Sequence, residues 1–253
     1  MIAAAVLLFG LGLVVGSFLN VCIYRLPREE SIAWPASHCT TCNRTLRWYE
    51  NVPVVSWALL RGRCRTCGSR ISTRYPIVEL TTGALFLAGY LAFGLTPLLA
   101  ARLLFGCAMV VLFAIDLEHQ LLPNVITLPG IVVGLIASAV LPPGLVDALI
   151  GVLIGGGVLW LIGEAYFRYS GHEGMGGGDV KMLAMIGAFL GWKLVLVTLV
   201  LSSIAGSVIG LLVIAIRKGG MKYALPYGTF LALGALVASL AGDAIVNWYV
   251  GLY

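Results

Sequence analysis

Long apolar runs separated by short polar breaks set the pattern of this chain. Residues 1–24 contain no charged side chain. Further apolar runs cover 77–93, 97–115, 125–141 and 145–167, and after a Gly-rich loop come 180–191, 194–216 and 227–250. A helix needs roughly 20 apolar residues to cross a bilayer. The pattern therefore predicts an all-α polytopic membrane protein with about eight transmembrane helices. The run at 180–191 is short, and its limits are the least defined. One polar stretch interrupts the series, dividing the chain into a first transmembrane helix (1–24), an insert (25–76) and a helical bundle (77–253).

Composition agrees with this reading. Hydrophobic residues make up 60% of the 253 positions and charged residues 11%, with a mean hydropathy of +1.01. Soluble domains carry about a quarter charged residues, and no fold of this length hides so much apolar surface from water. Lipid is the expected solvent.

Charge then orients the helices. Nine of the 16 Lys and Arg lie between Arg25 and Arg74, beside only three acidic residues. Eight spans with the insert in the cytoplasm put both termini outside. That arrangement places Arg168, Lys181, Arg217, Lys218 and Lys222 on the inner side as well, and leaves only Arg102 and Lys193 outside. The net charge of +5 thus follows the positive-inside rule and anionic lipid, with no nucleic-acid partner required. The first run has no basic segment before it and is too long for a signal peptide, so it reads as a retained helix.

Small residues four apart recur at Gly12/Gly16, Gly130/Gly134, Gly151/Gly155 and Gly206/Gly210. Such pairs let helix backbones approach closely in lipid. They predict packing and no chemistry.

The insert carries two CxxC pairs, Cys39/Cys42 and Cys64/Cys67, separated by 21 residues. Asn43 and Gly68 follow them, types that tolerate the left-handed turn of a metal-binding knuckle. Four thiolates so spaced suit a tetrahedral structural Zn²⁺. Disulfides or a redox pair are the competing readings, and a reducing cytosolic placement disfavours disulfides. Cys22 and Cys107, in apolar runs, read as packing residues. His38 stands beside Cys39 as a spare ligand.

Carboxylates in or beside membrane spans are costly and need a reason. Asp116 ends the third span and Asp179 begins the sixth, both at the inner side of the derived topology. Two carboxylates that meet there share a proton, because like charges at close range do not both ionise easily. One takes a proton from an attacking water while the other polarises the substrate carbonyl. Gly176, Gly177 and Gly178 before Asp179 let an extended substrate backbone approach. The bland alternative makes Asp179 a helix cap and Asp116 an interfacial residue. His119 and His172 read as solvated loop residues, and Glu79, Glu164, Asp147 and Asp243 as span-end residues reaching the interface.

Gly176-Gly177-Gly178-Asp179 resembles the GxGD signature of intramembrane aspartyl proteases, a group including presenilin and signal peptide peptidase. The segments at 16–27, 47–53, 74–79 and 115–123, the paired CxxC insert, and Pro226-Tyr-Gly-Thr-Phe-Leu231 resemble bacterial type IV prepilin leader peptidases. Thr229 stands where the resemblance leads one to expect proline.

The resemblance implies that Asp116 and Asp179 are the catalytic pair and Cys39, Cys42, Cys64 and Cys67 the zinc ligands. It implies a multi-pass protein of the bacterial inner membrane acting on precursors of type IV pilins, type II secretion pseudopilins or competence pilins. Their basic leader would be cut after a glycine at the cytoplasmic face. It also implies N-methylation of the new N-terminus from S-adenosylmethionine; no glycine fingerprint after a strand marks a site for that cofactor. Competing classes are a proton-coupled transporter, which calls for paired halves that the chain lacks, and a non-enzymatic scaffold of a secretion machine.

Overall fold

The computed structural model describes residues 1–172, 176–217 and 226–251. Lys218 and Lys222, two of the basic residues expected at the inner side, lie outside the described residues. The chain divides into two compact units, Met1–Leu99 and Ala100–Tyr253.

In the first unit, α1 (Ile2–Arg25) packs along α3 (Arg74–Phe93). The contact follows from small residues. A methyl group on Gly12 would lie 2.8 Å from the Gly83 Cα, and one on Gly16 would lie 2.7 Å from the Glu79 Cα. The two backbones therefore touch, as small-residue seams allow in lipid. Asn20 bolts the pair by donating from Nδ2 to the Tyr75 carbonyl at 3.0 Å. The polar insert between these helices contains two tight turns and the one-turn helix α2 (Val55–Leu59).

The second unit takes in α4 (Pro97–His119) from Ala100 onward, with α5 (Asn124–Ser138), α6 (Leu145–Ser170), α7 (Gly177–Arg217) and α8 (Tyr227–Val250). Helix α7 is its axis, packing against α5, α6 and α8. Met182, Leu183, Met185 and Ile186 in its first half are fully buried. Gly151 and Gly155 of α6 approach the α7 backbone so closely that a methyl on either would fall 2.6 Å from a carbonyl oxygen, of Gly187 and Leu183 respectively. Gly134 of α5 is equally tight, with Ala188 at 2.8 Å. Gly206, by contrast, leaves ordinary contact distance to Phe230.

Among the described residues, six helices are long and apolar enough to cross a membrane, and α5 is a shorter apolar helix. The expected count of eight is reconciled at Gly191. There α7 leaves helical geometry (φ 76°, ψ 172°), a backbone region open essentially to glycine alone. The short run before it and the long run after it are thus separate helical segments joined end to end. Leu7, Leu11 and Val14 of α1 are 73%, 52% and 59% exposed, which is stable only against hydrocarbon. Among the described residues the extended structure is limited to two isolated bridges, His38 with Thr45 and Arg63 with Arg70.

Two acidic residues differ from their neighbours at span ends. Glu164 is paired with Arg168 at 2.8 Å across one helical turn, as a surface residue should be. Glu79, expected at the interface, is instead buried in the first unit, its Oε2 accepting the Val54 backbone N–H at 2.7 Å.

Candidate functional site

Helix α4 is stopped by Gln120, whose left-handed backbone (φ 51°) returns its N–H to the Asp116 carbonyl at 2.9 Å. This places Asp116 one turn inside the helix end, only 5% exposed. Helix α8 begins after Pro226, so the Thr229 N–H in its first turn has no partner within the helix. It donates to Asp116 Oδ2 at 2.6 Å, and the Thr229 hydroxyl donates to the same oxygen at 3.0 Å. A carboxylate from α4 therefore caps the start of α8. Gly228 makes the approach possible, since a methyl there would sit 2.9 Å from Asp116 Oδ2 and 2.9 Å from Leu122 Cδ1.

Asp179 stands in the first turn of α7, its N–H bonded to the Gly176 carbonyl at 3.1 Å. Gly178 abuts Leu122, with 3.0 Å between a built methyl and the Leu122 Cβ. Leu122 thus touches both Gly178 and Gly228, gathering the starts of α7 and α8 beside the end of α4. Lys181 Nζ donates to Asn124 Oδ1 at 2.9 Å and ties in the start of α5. The Asp179 carboxylate lies within electrostatic reach of Asp116. The exposed Gly176 and Gly177 leave the backbone before Asp179 open, and nothing lies within 4 Å of a methyl built on Gly177.

The pair is chemically asymmetric. Asp116 Oδ2 accepts two hydrogen bonds and has no place for a proton. Among the described residues no donor bonds the Asp179 carboxylate. Sequence reasoning paired the two aspartates and did not find Thr229, Gly228 or Leu122. The signal available was the segment at 226–231, but nothing in sequence ties it to a residue 113 positions earlier.

The cysteines form a second constellation, in the first unit. Their sulfurs all lie within 4.8 Å of one another, and Cys39 Sγ and Cys67 Sγ are 3.9 Å apart. A tetrahedron with bonds of ~2.3 Å puts sulfurs about 3.8 Å apart, so the four residues fit a metal. The two turns are copies of each other. Asn43 N–H bonds the Cys39 carbonyl and Gly68 N–H the Cys64 carbonyl, at 2.9 and 3.0 Å, with φ of 55° and 70°. The Cys42 backbone N–H brings the Cys39 thiol down to about 6, and the Ser69 hydroxyl lowers Cys67. Both favour the thiolate that binds metal, whereas desolvation and the neighbouring Cys39 and Cys67 sulfurs push the Cys42 thiol up to about 11. His38 is not among these ligands; its Nδ1 lies 3.1 Å from the Ala36 carbonyl. Glu50 braces the first turn. The Arg44 guanidinium at 2.8 Å and the Arg47 N–H hold its carboxyl at about 2.

Comparison with known proteins bears on both constellations. Residues 10–93 match the family model of the bacterial peptidase A24 N-terminal domain, and residues 103–211 that of the type IV leader peptidase family. The chain is 39% identical to a prepilin leader peptidase/N-methyltransferase of Stutzerimonas stutzeri, over 95% of its own length and 91% of the relative. The protein of the same description in Pseudomonas aeruginosa is 38% identical over the same shares. One from Myxococcus xanthus is 44% identical over 83% of this chain and 63% of the relative. No solved structure matches the chain.

Proposed function

Because this chain belongs to the type IV leader peptidase family, we propose that it removes the basic leader of type IV prepilins and pseudopilins with Asp116 and Asp179, and methylates the new N-terminus. The observation that supports the peptidase reading is that Leu122 gathers the starts of α7 and α8 beside the end of α4, with Asp179 within electrostatic reach of Asp116. Neither a transporter nor a scaffold is favoured, since the relatives along nearly the whole length bear the names of enzymes.

The residues divide the work as follows. One carboxylate of the pair, ionised, takes a proton from water as that water attacks the scissile carbonyl carbon. The other, protonated, gives a proton to the carbonyl oxygen. The pair titrates as a unit. Thr229 holds Asp116 through Oδ2, so its exchangeable proton position is Oδ1. Gly176, Gly177 and Gly178 leave room for the substrate backbone, which must be unwound for attack and is tolerated at membrane depth where it lines a polar cavity.

Cys39, Cys42, Cys64 and Cys67 would hold a structural zinc ion that stabilises the insert and takes no part in cleavage. S-adenosylmethionine supplies the methyl group when bound. The charge distribution supports an inner-membrane protein with the insert in the cytoplasm and both termini outside. In domain terms the chain reads as helix 1–24, zinc insert 25–76 and protease bundle 77–253.

The test is leader removal from a purified prepilin in detergent, read by gel shift. Asp116→Asn and Asp179→Asn should each lower the rate by at least about a hundredfold, the low end for a lost general acid or base, with membrane insertion intact. Near-normal cleavage by either variant removes that residue from the mechanism.

A further inference from the structure

The first unit encloses a cavity of about 400 Å³ where the end of α1, the start of α3 and the insert come together, within the ~300–1,000 Å³ range of small-molecule sites. Six arginines line it against two carboxylates, Glu50 and Glu79. Glu50 is taken by Arg44 at 2.8 Å, and Arg44 and Arg65 also stand beside the thiol of Cys64. Arg25, Arg28 and Arg70 are left with no carboxylate within ion-pair distance among the described residues. Arg25 is the last residue of α1 and only 5% exposed, and its Nη1 and Nη2 donate to the Ser31 and Pro35 carbonyls at 2.8 and 2.6 Å. Carbonyl dipoles satisfy these hydrogens without neutralising the charge, and a buried charge is costly until a counter-ion meets it. Five residues back along α1, the buried Asn20 uses Nδ2 on the Gly16 and Tyr75 carbonyls, and its Oδ1 has no partner. An orphaned buried acceptor calls for a water or a ligand donor. Glu79 accepts the Val54 N–H at 2.7 Å and keeps lone pairs for further donors.

We propose that this cavity binds the phosphoglycerol headgroup of an anionic phospholipid, with the phosphodiester on Arg25, Arg28 and Arg70 and the glycerol hydroxyls on Asn20 and Glu79. The planar guanidinium fork matches phosphate oxygens. The position suits a lipid. The walls are the ends of two membrane helices, where hydrocarbon gives way to headgroups, and basic pockets between such helices on the cytoplasmic side take anionic headgroups. On the orientation proposed above, the insert stands on that side. Phe18 and Ile77, exposed on α1 and α3 within two residues of lining positions, give the acyl chains an apolar surface. An ethanolamine headgroup brings a cation that suits Glu79 but leaves the arginine excess uncompensated. A glycerol headgroup brings net negative charge and hydroxyl donors together. A soluble phosphate ester shares the anion chemistry and lacks the chains. None of these residues is an aspartate of the pair or a cysteine of the cluster, so the site stands or falls apart from the catalytic reading.

The experiment uses the full chain in uncharged detergent micelles with radiolabelled phosphatidylglycerol, phosphatidylethanolamine of the same chains, and glycerol 3-phosphate. Phosphatidylglycerol should bind saturably, and about tenfold or more tightly than either of the others. Arg28→Gln with Arg70→Gln, which removes two exposed arginines of the rim, should weaken binding by about tenfold or more with metal content unchanged. Arg61→Gln with Arg63→Gln removes two exposed arginines of the insert that do not line the cavity, and should leave binding at the wild-type level. Equal losses in the two double variants mean diffuse attraction to a basic surface and overturn the site. So does a wild type without saturable binding, or one that holds the ethanolamine lipid equally well. Glycerol 3-phosphate bound as tightly as the glycerol lipid overturns the lipid and assigns the cavity to a soluble phosphate ester. Should the Arg28 and Arg70 double variant fail to fold, a photoreactive phosphatidylglycerol on wild type decides. Label on peptides spanning 17–28 or 70–79 supports the site, and label confined elsewhere overturns it.

Discussion

Thr229 shows how one side chain sets the geometry of a distant one. Its N–H and hydroxyl supply the two bonds that reach Asp116 Oδ2, where a proline, with neither group, would supply none. In this chain those bonds fix the carboxylate in place. Hydrogen bonds to charged groups are worth about 1.5–3 kcal/mol. Thr229→Val, which keeps the N–H and loses the hydroxyl, should therefore slow leader cleavage by about tenfold or more. Thr229→Ser restores the donor and should restore the rate. Equal losses in Val and Ser variants would mean that Thr229 fills space and does not position Asp116. Of the site residues, the cysteines were legible from type and spacing, whereas the aspartates stood out only as costly carboxylates beside the membrane and were joined as a pair through the family resemblance. Thr229 was visible only as a departure from a resemblance, because its partner is a whole bundle away in sequence.

At the scale of elements, the short polar breaks and apolar runs translated directly into helices. The run at 97–115 extends to His119 in α4, and the run at 145–167 to Ser170 in α6, since helices in lipid continue until a turn residue or the interface stops them. What periodicity does not carry is which helices touch. That is decided by where small residues expose backbone, and one helix offers an internal contrast. On α6, a side chain at Gly151 would meet the Gly187 carbonyl oxygen at 2.6 Å and the Gly191 carbonyl carbon at 2.9 Å, whereas nothing lies within 4 Å of one at Gly157. Gly151→Val must push α6 off α7, an overpacking cost of about 1–3 kcal/mol, and should lower the thermal midpoint in detergent. Gly157→Val should leave the midpoint near wild type. If both are tolerated alike, the seam between α6 and α7 is looser than these distances require.

At the scale of the molecule, the two kinds of chemistry fall in different compact units. The cysteine cluster and the polar cavity belong to Met1–Leu99, and the paired aspartates to Ala100–Tyr253. The sequence pattern placed a boundary at residue 76, where polar residues give way to apolar ones. The structure carries the first unit on through α3, because the small-residue seam of α1 pairs with α3 and makes those two helices the base of the insert. The division has a functional consequence. Metal binding in a small unit is coupled to its folding, so Cys39→Ser should release the zinc and loosen the turns at Asn43 and Gly68. The cavity walls depend on those turns, since Cys39 and Cys64 border it. The aspartates depend on Thr229, Gly228 and Leu122, all in the other unit. On the reading that the insert serves methyl transfer, methyl incorporation should fall further than leader removal when both are measured on the same Cys39→Ser preparation. Parallel loss of the two activities would mean that the zinc turns support the protease bundle as well as the insert.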